Sequence, residues 1–166
     1  MITKFRIGAA GVALISAIGM ASVANAAASD TATAEANILS PLTLTADNSL
    51  HFGDIAVSGA GNATVAADGS GITCDPNLYC VGGSSPADFT VGGSSGSTVS
   101  IAVSNVVDLT GPGVAMTLSG LNADAGASLL LTGATTGFSV GGTLAVNAGQ
   151  AAGYYSGSFD VTVEYQ

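Results

Sequence analysis

Beyond residue 26 the sequence contains no lysine and no arginine; its two basic side chains, Lys4 and Arg6, lie in the first six positions. All 11 acidic residues come later, so residues 27–166 carry 0 basic against 11 acidic side chains, a charge of −11. A surface of one sign repels phosphate backbones, which sets nucleic acid aside as a partner. Anionic lipid surfaces are disfavoured for the same reason. No lysine is left for Schiff-base chemistry or for clamping a phosphate. Histidine occurs once, at His51, and tryptophan not at all. With aromatic residues at only 5%, the core has to be thin and built from Val, Leu, Ile and Ala.

The familiar catalytic arrangements are missing as well. The letters Gly-x-Ser-x-Gly occur twice, in GGSSG at 92–96 and GFSVG at 137–141, with no helical period after either to make a nucleophile elbow. There is no His-Glu-x-x-His and no phosphate loop ending in Gly-Lys. The stretch GGSSGS at 92–97 is a glycine-rich loop in composition only. His51 lies between Leu50 and Phe52 in LHFGD and reads as a side chain on the polar face of a strand, with no identifiable nucleophile to serve. Asp47, Asp54, Asp68, Asp75, Asp88, Asp108 and Asp124 are scattered singly, as turn-forming residues are. None begins an Asp-x-Asp-x-Asp-Gly calcium loop. Asn62-Ala63-Thr64 fits a glycosylation sequon, a three-residue pattern common by chance. The expectation is a protein that is not an enzyme, with no catalytic residue, metal or cofactor.

What is present begins with an export signal. Lys4 and Arg6 precede the apolar run IGAAGVALISAIGMASVA, and Ala24 and Ala26 complete a small-x-small site. This is the layout of a secretory signal peptide over 1–26, cleaved after Ala26. A membrane anchor is the competing reading, but the run is Gly/Ala-rich and short for a span. Residues 27–166 are then one exported domain, with no membrane span once the signal is removed. Cys74 and Cys80, in CDPNLYC, read in an exported protein as a disulfide closing a small loop. Asp75-Pro76-Asn77 is turn chemistry that would bring the two thiols together across a hairpin.

After residue 26 no helical period is sustained; short alternating segments are separated by Gly-rich or Asp/Asn-rich turns. Strands are expected near 31–46, 49–57, 63–67, 87–91, 97–103, 114–120, 128–133, 142–147 and 154–165. VGGSS at 81–85 and 91–95 reads as two similar loops flanking the strand PADFTV. Many short strands at this spacing predict an all-β, antiparallel Ig-like sandwich. The last strand is the most informative. Phe159, Val161, Val163 and Tyr165 occupy one face of a period-two pattern, and Ser158, Asp160, Thr162 and Glu164 the other. A sandwich ending on its own core residue is expected to lack the strand that should follow, leaving an apolar groove and an unpaired edge. Such an edge can be completed by a strand from another chain.

The ending resembles the C-terminal signature of chaperone–usher pilus subunits: a penultimate Tyr165, alternating apolar residues before it, and Gly153 at the fourteenth position from the end. Tyr155, Gly157, Phe159, Val161 and Val163 keep the alternation. SPLTLTADNSLHFGDI together with LAVNAGQAAGYYSGSFDVTVEY is also similar to the bacterial secreted proteins of domain of unknown function 4402 and to spore-coat-protein-U-like archaic pilins. The resemblance covers most of 31–166. It implies a pilin-like or coat-like surface subunit, carried through the periplasm by a chaperone to an outer-membrane usher and joined to copies of itself or to related subunits. The interaction strand it implies is Gly153–Tyr165, and the donor segment is 27–38, presenting Ala32, Ala34, Ala36 and Ile38. Two features depart from pilins. Position 41 is proline, where an early cysteine is often found, and the donor knobs are mostly alanine. The alternative is a self-sufficient secreted Ig-like adhesive or binding module, in which 31–46 pairs intramolecularly beside the terminal strand.

Overall fold

The structure, a computed structural model, describes residues 27–166. The assigned signal peptide, 1–26, lies outside the described residues. Residues 27–36 carry no regular structure and are exposed; residues 37–166 form a separate compact unit. Every regular element among the described residues is a strand, and every pairing is antiparallel. The antiparallel β-sandwich expected from the alternation is what forms.

Twelve strands follow in order. They are β1 Thr43–Asn48, β2 Asp54–Val57, β3 Gly61–Val65, β4 Ile72–Cys74, β5 Leu78–Val81 and β6 Ala87–Gly92. The second half comprises β7 Thr98–Val103, β8 Val106–Leu109, β9 Met116–Ala123, β10 Ser128–Leu130, β11 Thr135–Val146 and β12 Val161–Tyr165. One layer is a seven-stranded sheet centred on β11. Val140 pairs with both Ala87 of β6 and Ala123 of β9, and Thr143 with both Thr64 of β3 and Ser119 of β9. Strands β6 and β3 therefore share one edge of β11 in succession, and β9 runs along the other. The opposing layer is in two pieces, a three-stranded sheet β10-β7-β12 and the pair β2-β5.

Each piece covers its own part of the large sheet. Ala87, Val91, Phe138 and Val140 meet Val99 and Ile101 of β7. Ala63, Val65, Leu118, Leu144 and Val146 meet Leu78 of β5. Leu50, Leu121 and Phe159 touch both clusters. Phe89 stacks on Phe138 at 5.4 Å between centroids and meets Phe159 edge-on at 6.3 Å, a favoured geometry for aromatic pairs. Buried side chains here are all apolar, so the thin aliphatic core expected from composition is the one observed. On the outer face, Asp88 of β6 accepts from Ser139 Oγ of β11 at 2.7 Å and from Asn48 Nδ2 of β1 at 2.9 Å. Those two donors, Ser139 first, hold its carboxyl below the usual range.

The first strand region differs from its expectation. The segment expected as one strand over 31–46 is regular only from Thr43, and β1 pairs with β6 in the large sheet, not beside the terminal strand. The chain then crosses between layers. His51 exchanges both backbone hydrogen bonds with Ser85 at 2.8 and 2.9 Å, and its Nδ1 accepts the Gly53 N–H at 2.9 Å. This places the single histidine in a crossover, exposed, with a local structural task.

The cysteines do form a disulfide, with Cα atoms 6.4 Å apart, but not across a hairpin. β4 pairs with β3 and β5 pairs with β2. The turn at Asp75–Leu78, closed by the Leu78 N–H donating to Asp75 O at 2.9 Å, carries the chain from one layer to the other. The bridge consequently staples two sheets.

Candidate functional site

The terminal strand is shorter than its alternation. Only Val161–Tyr165 is a strand, pairing with β7 from Val161↔Val103 to Tyr165↔Val99. The preceding residues 154–160 make one isolated bridge, Thr110↔Ser156, to the end of β8. The period of two nonetheless survives in burial: Tyr155, Phe159, Val161, Val163 and Tyr165 are half-buried, and the residues between them are exposed.

That half-burial is informative because of what stands beside it. Inward residues of the neighbouring β7, Val99 and Ile101, are buried, whereas Tyr165 and Val163 opposite them are not. The same contrast holds in the other piece of that layer. Leu78 of β5 is buried, while Ile55 and Val57 of its partner β2 remain half-exposed. Among the described residues, β12 pairs only with β7 and β2 only with β5. Each has one edge whose N–H and C=O groups lack a strand.

Beside the β2 edge lies a groove of about 640 Å³, which β12 itself does not line. One wall is β2 with Phe52, and the other is the segment 150–157 with Phe159, which leads into β12. The floor is the inner face of the large sheet, from Met116, Leu118, Leu144 and Val146. Those floor side chains are buried, so what the groove offers is the unpaired edge of β2 and the half-buried Ile55, Val57, Tyr155 and Phe159, a surface suited chemically to an extended peptide. The free edge of β2 would extend its ladder with β5 to an added strand, whose side chains would alternate in direction. No group of three or more His, Cys, Asp or Glu is gathered anywhere among the described residues.

Hydrogen-bonded tyrosines fix both ends of the C-terminal segment. Tyr155 Oη accepts from the Gly113 N–H at 2.8 Å and donates to Ala151 O at 2.9 Å. Tyr165 Oη accepts from the Ser94 N–H at 2.8 Å and donates to Ser40 O at 2.7 Å. Ser40 is held a second time, its N–H donating to Ser94 Oγ at 2.7 Å. The penultimate tyrosine therefore clamps the approach to β1.

The glycines singled out in this segment have steric reasons. Gly153 has φ of +147° and a Cβ there would lie 2.6 Å from Pro112 Cγ. A Cβ on Gly157 would lie 2.6 Å from Asp108 O, where the segment passes β8. Neither residue faces the groove as a knob; both let the backbone lie close to its neighbours.

The expected donor residues are exposed. Ala32, Ala34 and Ala36 lie in the unstructured stretch 27–36, and Ile38, in the compact unit, is 87% exposed. The sequence reading missed the second wall. Phe52, Ile55 and Val57 lie within the expected strand 49–57, and their alternation in HFGDIAV marks one buried face but carries no signal of which edge is free.

An all-β antiparallel sandwich whose second layer is in two pieces, with a groove beside β2, is the class of protein these features define. By sequence the chain belongs to the family described as Domain of unknown function (DUF4402), whose family model matches residues 42–165. No curated protein matches it.

Proposed function

We propose that the chain is a structural subunit of a cell-surface pilus, fimbria or coat, assembled by insertion of a strand from another chain into the groove between β2 and the approach to β12. It is exported, passes through the periplasm and acts at the surface. A periplasmic chaperone occupies the groove in transit, an outer-membrane usher releases the subunit, and a neighbouring subunit then takes the chaperone's place. The observation that carries this reading is the unpaired edge of β2 beside a groove of about 640 Å³ whose other wall, 150–157 with Phe159, leads into the edge strand β12. An open edge is an aggregation hazard that folded proteins cover, and a strand supplied in trans covers two edges at once.

The test is a strand supplied in cis. Fusing residues 27–40 behind Gln166 through a flexible linker should raise the melting temperature and suppress association. The gain should be several kcal/mol, since it adds ladder hydrogen bonds and apolar burial together. A monomer that is already stable and gains nothing from the fusion would rule out complementation and favour the secreted adhesive module.

A further inference from the structure

We propose that His51 is a pH-operated latch at the entry to β2: the neutral imidazole holds the Gly53 amide, and the imidazolium releases it for the Gly83 carbonyl. The inference does not depend on what the groove beside β2 accepts. Two groups of opposite kind stand at one ring atom. The Gly53 N–H donates to His51 Nδ1 at 2.9 Å, and Gly83 O lies 3.1 Å from the same nitrogen. A ring nitrogen accepts when bare and donates when protonated, and does not do both. With Nδ1 bare, the Gly53 N–H is satisfied and the ring gives Gly83 O nothing. With Nδ1 protonated, the reverse holds. Histidine is the side chain type that changes charge between about pH 5 and pH 8, and the exposed ring of His51 takes its proton directly from solvent.

The backbone beneath the ring stays in place during the exchange. His51 gives and takes a backbone hydrogen bond with Ser85, at 2.8 and 2.9 Å, so only the partner of Nδ1 changes. The change passes to β2 through Gly53. That residue has φ of +71°, and a Cβ there would lie 2.7 Å from Val81 O, so its backbone is pressed against the end of β5. The next residue, Asp54, opens the β2-β5 ladder opposite Val81. Among the described residues β2 has no other strand partner. Losing the bond to Nδ1 therefore loosens the start of a strand that is held on one side only.

The charged groups on the surrounding elements favour the exchange. Asp54 on β2 places its carboxylate against the turn that carries Gly83, with Oδ2 3.6 Å from the position of a Gly82 Cβ. Asp47 of β1 accepts from Thr90 Oγ1 at 2.7 Å, and Asp88 of β6 accepts from Ser139 Oγ and Asn48 Nδ2. The loop 82–86 has no titratable side chain, and β5 has Tyr79 on its exposed face. These are carboxylates and a phenol, types that titrate outside the histidine window. Imidazolium at position 51 would be the sole cationic side chain of residues 27–166, and the carboxylate of Asp54 draws it to the Gly83 side.

The experiment is an NMR titration of the full chain, expressed through a secretory pathway, from about pH 8 to about pH 5. The Gly53 amide resonance should move with the same midpoint as the His51 ring protons. Its protection against exchange should fall on the order of fivefold, as the loss of one hydrogen bond implies, while amides of β7 and β12 keep theirs. His51→Asn should abolish the response and leave Gly53 protected, because an asparagine Oδ1 accepts from the N–H two residues on without titrating. His51→Ala should leave Gly53 unprotected at every pH. Asp54→Asn should keep the response, which then belongs to the imidazole and not to the carboxylate. A Gly53 amide indifferent to the His51 midpoint, or a response that persists in His51→Asn, would overturn the proposal. If His51→Ala does not fold, the titrations of the wild type and of His51→Asn decide between the two outcomes.

Discussion

Gly153 shows how a single residue in the C-terminal segment is constrained by backbone geometry as well as by the groove. Its φ of +147° is a conformation essentially reserved for glycine, and the Pro112 ring occupies the position a Cβ would take. Gly153→Ala should therefore destabilise the fold by about 1–3 kcal/mol. Gly83→Ala is the control, because nothing lies within 4 Å of its Cβ position and its φ is not positive. Denaturant unfolding of the two variants provides the comparison, and equal midpoints would show that the 150–157 wall is loose. The sequence placed this glycine by its distance from Tyr165, but the reason for it, Pro112 standing against it, is a contact across 41 positions that no local pattern displays.

At the scale of elements, legibility followed the length and one-sidedness of each strand. β12 and β7 alternate cleanly because each buries one face, and both were legible. β4, β5 and β8 were not: they have 3, 4 and 4 residues, too few to show a period against the turns that bound them. β4 and β5 were further hidden by the cysteines, whose spacing suits a hairpin although the strands belong to different sheets. The first half of β11, TTGFSVGG, has the composition of a loop, yet it is the centre of the large sheet. A Cβ on Gly142 would lie 2.9 Å from Leu121 Cδ2, so this glycine marks close packing, not a turn. The groove was legible from one wall only, since its second wall is brought there by the His51 crossover.

The same crossover gives the disulfide its task. Cys74 lies at the edge of the large sheet and Cys80 in the strand beside β2, both packed against the cluster under the groove floor. Its covalent loop is short, with a sequence separation of 6, so removing it should cost only about 2–3 kcal/mol of global stability. The local effect should be larger, because the β2-β5 pair would then be held to the large sheet only by packing and by the short turns that lead into and out of it. A Cys74→Ser, Cys80→Ser double variant should melt lower and show faster amide exchange in β2 and β5 than in β7 and β12. Uniform exchange across both pieces would mean that the bridge does not hold the groove wall.

On the proposed assembly, the charge of the whole molecule decides how copies meet. With 11 acidic and no basic side chains over residues 27–166, copies that join as proposed approach each other against repulsion, and the expected donor segment 27–38 would bring Asp30 and Glu35 to a groove whose wall carries Asp54. Apolar burial and ladder hydrogen bonds are short-ranged and act only after that approach. Salt changes the approach alone: the screening length falls from about 30 Å at 0.01 M to about 8 Å at 0.15 M. Assembly should therefore accelerate as salt is added, the reverse of an interface held by ion pairs. Dissociation should change little over the same range, because the docked strand is held by contacts that salt does not screen. A basic chaperone surface would behave oppositely, binding faster at low salt, so low ionic strength should favour the chaperone-bound subunit and physiological salt the assembled one. Light scattering of the isolated chain against ionic strength gives the sign directly. Assembly that slows with added salt would show that copies do not join through these acidic faces.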